Sequence, residues 1–201
     1  MKPYSTACDQ NRDPILSVLR ELLSDRKTVL EVGTGTGQHA VYFAEKLPHL
    51  TWQCSDQAQY HQGIQLWLDE AKLPNLLPPL ALNVSEDNWP TTQYDALYCA
   101  NVMHIMSWKN VEDLFRHTAA CLNDNGLMIC YGPFNFNGQY TSASNAQFDQ
   151  SLRMRDPLSG IRHFEELQVL AEENGLSFVS DIEMPANNRI LLWQKRTVPT
   201  K

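Results

Sequence analysis

Residues 29–47 read VLEVGTGTGQHAVYFAEKL: an apolar run, three glycines at alternate positions, then apolar residues at helical spacing. The pattern predicts a short buried strand over 28–33 that turns directly into a helix carrying Ala40, Val41, Phe43, Ala44 and Leu47. Gly33, Gly35 and Gly37 fall in the turn, where glycine permits positive φ and lets the backbone approach another group closely. A tight strand-to-helix turn needs one such residue. Three at alternate positions point to a turn that also holds a ligand.

The rest of the chain repeats the alternation of strand and helix. A helix is expected over 15–23, with Asp13-Pro14 as its start signal. Further strands are expected at 50–56, 79–84, 94–102 and 127–134, and helices at 57–71 and 108–122, the latter ended by NDNG. After a polar stretch at 135–162 with a short helix at 144–154, a helix at 163–174 leads into strands at 176–184 and 189–196. Alternating strands and helices imply a doubly wound parallel sheet. The PANN connection between the last two strands is too short for a crossover helix, so they are expected to pair antiparallel. With no linker or repeat, residues 1–201 are read as one domain, 135–162 being an insertion or lid on the substrate side.

Composition narrows the function. The formal charge is −7 and the basic residues form no clusters beyond short pairs such as Lys195-Arg196, which disfavours a nucleic-acid partner. No apolar stretch approaches the roughly 20 residues of a membrane span. The first residues lack the apolar region of a secretory signal. Five scattered cysteines with no CxxC pair read as reduced, mostly buried thiols, and no metal site is expected. The expectation is a cytoplasmic protein with a small-molecule substrate.

The glycines are spaced GxGxG rather than the GxGxxG of a dinucleotide pyrophosphate turn. Glu31, two positions before the first glycine, has no obvious role beside a diphosphate but suits a cationic ligand with an amino group and a sulfonium. Asp56 ends the second strand, where a carboxylate can accept hydrogen bonds from both hydroxyls of an adenosine ribose. These features leave NAD open as a rival ligand, since strand, glycine turn, helix and acid are shared.

The ordered set of EVGTGTG, Asp56 after strand two, Asn83 after strand three and CAN (99–101) after strand four resembles the class I S-adenosylmethionine-dependent methyltransferases. The resemblance implies a three-layer α/β/α Rossmann-like fold whose seven-stranded, mostly parallel sheet ends in an antiparallel strand. It also implies S-adenosylmethionine as cofactor, with Gly33, Gly35 and Gly37 under its methionine part, Asp56 on the ribose, and Asn83 and Val84 at the adenine; Glu31 and Asn101 are further cofactor candidates, Asn101 also reaching toward the acceptor. That family often has an Asp at the position of Asn83, whose carbonyl can accept the same bond. NRDPIL (11–16), GTGQHAVYFAEKLPHLTWQ (35–53), CANVMHI (99–105), YGPF (131–134), SNAQFDQSLRMRDPLSGIR (144–162) and MPANN (184–188) are similar to the methyltransferase-like twenty-six family, which supplies no established acceptor.

The methyl acceptor is expected above the carboxyl ends of strands four and five. His104, close behind strand four, is the candidate general base, against the alternative of a structural loop histidine. His39, His49, His61, His117 and His163 are expected at the surface. Tyr131 and Phe134 are placed at the acceptor, and Asp149, Arg153 and Arg162 are candidates to orient it or to form an ion-pair network that fixes the lid. Asn11 and Arg12 either fold over the cofactor or cap their own helix. No Asn/Asp-Pro-Pro motif follows strand four, which argues against amino methylation of a nucleic-acid base. A non-catalytic module that binds the cofactor is the remaining rival.

Overall fold

The computed structural model describes residues 2–86 and 88–197. In chain order the elements are α1 (Thr6–Leu22), β1 (Thr28–Val32), α2 (Gln38–Lys46), β2 (Thr51–Asp56), α3 (His61–Ala71), β3 (Leu76–Ala81), β4 (Tyr94–Ala100), α4 (Trp108–Cys121) and β5 (Leu122–Gly132). There follow β6 (Phe134–Asn135), α5 (Ala143–Arg155), β7 (Arg162–His163), α6 (Phe164–Glu173), β8 (Leu176–Met184) and β9 (Asn188–Lys195).

Seven strands form one sheet in the order β3-β2-β1-β4-β5-β9-β8. Strands β1 to β5 pair in parallel, while β9 is antiparallel to both β5 and β8. Alternation along each strand sends its side chains to two separate cores. Val29, Trp52, Ala96 and Tyr98 pack beneath α1, α2 and α3, through Leu19, Phe43 and Ile64 among others. Leu30, Leu97, Cys99 and Trp193 face α4 and α6, meeting Leu114, Phe115 and Leu167. The result is the expected three-layer α/β/α sandwich.

Several boundaries differ from the sequence pattern. Helix α1 begins at Thr6, so Pro14 lies inside it and the Gln10 carbonyl loses its helical donor. What holds the extra turns is tertiary: Gln38 Nε2 donates to the Ser5 carbonyl at 3.2 Å, and the Ser5 N–H donates back to Gln38 Oε1. Strand β3 spans Leu76–Ala81 rather than 79–84. It tolerates Pro78 and Pro79 because it is an edge strand, while Leu82 and Val84 turn inward to the core. Strand β5 starts at Leu122, taking the expected NDNG turn into its bulged first half, with Asn125 at φ 61°. The polar 135–162 segment is folded: β6 and β7 pair at its two ends, and α5 stands between them.

No helix among the described residues is long and apolar enough to cross a membrane. All five cysteines are free, and only Cys8 is not buried.

Candidate functional site

In this strand order β1 leads toward β2 and β3, while β4 lies on its other side and leads toward β5. The carboxyl ends of β1 and β4 therefore flank the switch point of the sheet, where open α/β sheets bind ligands. Two cavities meet there. One, of about 770 Å³, is lined from α1, the glycine turn, α5 and the β8–β9 turn; the other, of about 610 Å³, from the ends of β2, β3 and β4. Gly33, Gly35, Ala100 and Asn101 border both.

The three glycines do different work. At Gly33 (φ +75°) a Cβ would stand 2.7 Å from Val102 Cγ2, and at Gly37 (φ +96°) one would press on Trp67 and Ile64 of α3. Both are required by packing. Gly35 (φ +62°) has only the Gly33 carbonyl at 4.0 Å, so its missing side chain leaves open space at the junction of the two cavities. The turn is stitched to β2: Gly33 and Thr34 N–H groups donate to the Ser55 carbonyl at 3.0 and 3.1 Å. The Gly35 N–H donates to Asp56 Oδ2 at 2.7 Å.

Glu31 is buried, 2% exposed, on the wall of the larger cavity. Trp52 Nε1 and Thr34 Oγ1 both donate to its Oε2, at 3.0 and 3.2 Å, and no described residue donates to Oε1. Burial pushes the carboxyl up to about 7, against the downward pull of those two bonds, and the charge of Asp56 adds to the rise. Asp56 is half-buried beside the second cavity, with its carboxyl raised by burial and drawn down by the Gly35 and Gln57 N–H groups. Val84 and Asn83 line the same cavity, but the Asn83 carbonyl already accepts from Ser85 N and Oγ at 3.3 and 3.0 Å.

Asn101 sits at the end of β4 in left-handed backbone (φ 58°), a conformation that costs energy in a non-glycine residue and concentrates at functional sites. His104 follows it, buried in the larger cavity's wall, with Phe148 of α5 edge-on at 5.2 Å. Its ring makes no hydrogen bond to a described residue. Burial lowers its pKa to about 4, with Arg162 adding to the fall, so the ring is neutral at pH 7.

Of the other expected site residues, Asn11 and Tyr131 line the larger cavity, whereas Phe134 is buried in β6 away from it. Arg12 turns aside to Asp9, at 2.8 Å, and to the Tyr42 ring. Asp149, Arg153 and Arg162 line neither cavity. Asp149 accepts from Arg153 Nε, Tyr140 Oη and the Ile161 N–H at 2.7, 2.8 and 2.7 Å, closing the base of α5 on the strand that follows it. Arg162 donates to the carbonyls of Met103, Met106 and Leu158, tying the His104 loop to that same segment.

His39 and His117 are buried, not at the surface as periodicity suggested. His39 lies in the first turn of α2 where α1 covers it: its Nε2 meets Asn11 Oδ1 at 2.7 Å and its ring packs on Phe43. Residues with no sequence signal complete the cavity, notably Cys8, Asn145, Phe148 and the turn at 185–188. The turn's Ala186 and Asn187 are in left-handed backbone, at φ 59° and 56°.

These features place a cleft with two carboxylates at the switch point of a Rossmann-like sheet. Solved structures with this fold include an O-methyltransferase family protein from Burkholderia thailandensis, with a TM-score of 0.81 and 15% identity over 92% of this chain and 56% of that one. The S-adenosylmethionine-dependent methyltransferase SibL is similar at a TM-score of 0.80 and 18% identity, over 94% and 56% of the two chains. The YcgJ protein from Bacillus subtilis matches at a TM-score of 0.74 and 15% identity, over 92% of this chain and all (100%) of that one. The chain thus spans a little over half the length of the first two. Its fold is that of the class I S-adenosylmethionine-dependent methyltransferases.

The chain itself belongs to the family described as Protein of unknown function (DUF938), whose model matches residues 2–195. That description does not name the methyltransferase-like twenty-six family.

Proposed function

We propose that this protein is an S-adenosylmethionine-dependent methyltransferase acting on a small molecule. The observation that carries the reading is Glu31: a buried carboxylate beside the glycine turn, with one oxygen on a cavity wall that accepts from no described residue. Burying such a group is costly unless a cation meets it. The amino and sulfonium charges of S-adenosylmethionine meet that need, and the diphosphate of a dinucleotide does not.

The neighbouring residues suit the remainder of the cofactor. Gly35 leaves room for it, Asp56 offers carboxylate oxygens to the ribose hydroxyls, and Val84 and Asn83 edge the adenine. Because the Asn83 carbonyl is engaged by Ser85, its part there is to shape the pocket. Asn101 and Asn11 border the methionine part, and Arg12 steadies α1 through Asp9.

When bound, the cofactor supplies a methyl group on a positively charged sulfur, which leaves as a neutral thioether once a nucleophile has taken the carbon. The chain's task is then alignment of the acceptor and removal of its proton. His104 lines the cavity and its ring is bonded to no described residue, which leaves a ring nitrogen open to the acceptor's proton. Tyr131 forms a further wall of the acceptor space, and Arg162, Asp149 and Arg153 hold the loop and helix that enclose it.

The test is incubation of the protein with a metabolite extract and methyl-labelled S-adenosylmethionine. The expected result is a labelled small molecule, lost with His104→Ala while cofactor affinity is kept. Tight cofactor binding with no labelled product would favour the non-catalytic module instead.

A further inference from the structure

The wall of the larger cavity formed by Tyr131, α5 and the 185–188 turn has a distinct chemical character. Among the described residues, no Lys or Arg lines this cavity, and Glu31 is its acidic residue. The arginines nearby are committed elsewhere: Arg12 to Asp9, Arg153 to Asp149, Arg162 to three carbonyl oxygens, and Arg189 to Asp181 and Glu183.

The polar groups that remain are uncharged, and two of the amides leave their oxygens open among the described residues. Asn145 Nδ2 donates to Thr141 Oγ1 at 2.8 Å and to the Asn187 carbonyl at 3.1 Å. Asn188 Nδ2 faces the carbonyls of Pro185 and Ala186 at 3.2 and 3.5 Å. Because a carbonyl can only accept, the backbone partners fix each amide's orientation and leave its Oδ1 as the uncommitted atom. His104 adds an unpartnered neutral ring. Gln10 and Asn101 are lining amides with uncommitted N–H groups, and both are uncharged.

We infer that this wall is an acceptor subsite for an uncharged small molecule presenting a hydroxyl, thiol or amine hydrogen, and that it excludes molecules carrying a carboxylate, sulfonate or phosphate. The inference rests on the methyltransferase reading. An anionic group at this wall would shed its hydration with no Lys or Arg side chain among the described residues to replace it. A neutral X–H donor finds acceptors, and its proton can pass to His104 as the methyl group arrives.

The experiment uses matched pairs that differ by one anionic group: phenol and para-hydroxybenzoate, benzyl mercaptan and para-(mercaptomethyl)benzoate, aniline and para-aminobenzoate. Binding of S-adenosylmethionine is measured first by calorimetry, and its absence would defeat the methyltransferase reading itself. With cofactor bound, transfer of labelled methyl is compared within each pair. At least one neutral member is expected to be methylated about tenfold or more faster than its anionic partner, in keeping with a lost ion-pairing opportunity. Ser144→Lys places a cation on an exposed, cavity-lining position of α5 and is expected to narrow or reverse that ratio. Equal or faster transfer to the anionic members overturns the assignment, as does cofactor binding with no transfer to any neutral member. An unchanged ratio in Ser144→Lys, with the fold intact by circular dichroism, overturns the electrostatic explanation.

Discussion

Replacing Glu31 by Gln tests the site at its most constrained group. Gln keeps an oxygen for the Trp52 and Thr34 donors but removes the charge. In the folded protein burial holds the Glu31 carboxyl at about 7, against an ordinary value of 4.5. An acid with a raised folded pKa binds its proton in the folded state between those two values, where the unfolded chain has released it. Its contribution to stability therefore falls as pH rises from 4.5 to 7 and stays low above. The shift corresponds to about 3 kcal/mol at pH 8, so Glu31→Gln is expected to be more stable than the natural protein there by about 2–3 kcal/mol. The gain should shrink toward pH 5. For a chain of this size that is a rise in Tm of about 5–10 °C at pH 8. On the proposed reading the same group meets the cofactor: a cationic ligand requires the ionised carboxylate, so affinity should rise about tenfold from pH 6 to pH 8 through this group, with proton release on binding. Calorimetry in buffers of different ionisation enthalpy reads that proton. Glu31→Gln should bind weakly and lose this part of the pH slope. An identical slope and proton count in both proteins would refute the reasoning, as would a Gln variant less stable than the natural protein at pH 8.

Asp56→Ala should weaken cofactor binding by about 1–3 kcal/mol, the value of hydrogen bonds to a charged group, with calorimetry as the check and unchanged affinity as the contrary result. Gly33→Ala and Gly35→Ala should separate stability from binding. The first meets Val102 at 2.7 Å and should lower the Tm, while the second meets open space and should lose cofactor affinity with a smaller Tm change. Arg162→Met strips the donors from the carbonyls of Met103, Met106 and Leu158, and should cost about 2–4 kcal/mol in a denaturant titration. Amide exchange should then quicken at Gly160, whose N–H bonds the His104 carbonyl at 2.9 Å.

The layers of the fold were legible because they depend on local periodicity. The strand before Gly33, the helix after Gly37 and the antiparallel pair around PANN each follow from spacing within about ten residues. Glu31, Asp56 and His104 were legible for the same reason, lying at fixed offsets from strand ends. What escaped depends on contacts distant in sequence. Pro14 read as a helix start because the Ser5–Gln38 clamp that extends α1 past it spans 33 residues. His39 read as exposed because α2's own periodicity does not reveal that α1 lies over it. Arg162 looked available to a substrate because its partners, the carbonyls of a distant loop, carry no side-chain signature, whereas the Asp149–Arg153 pair is the ion-pair alternative that their i, i+4 spacing allowed. One wall of the larger cavity joins α5 to the 185–188 turn through Asn145 and Asn187, a contact no motif announces.

The central claim is that the cavities beside Glu31 and Asp56 hold S-adenosylmethionine. Isothermal calorimetry of the purified protein with S-adenosylmethionine, its demethylated product and NAD tests it most directly. Micromolar binding of the first two and none of NAD is the result the account predicts; micromolar binding of NAD alone would contradict it.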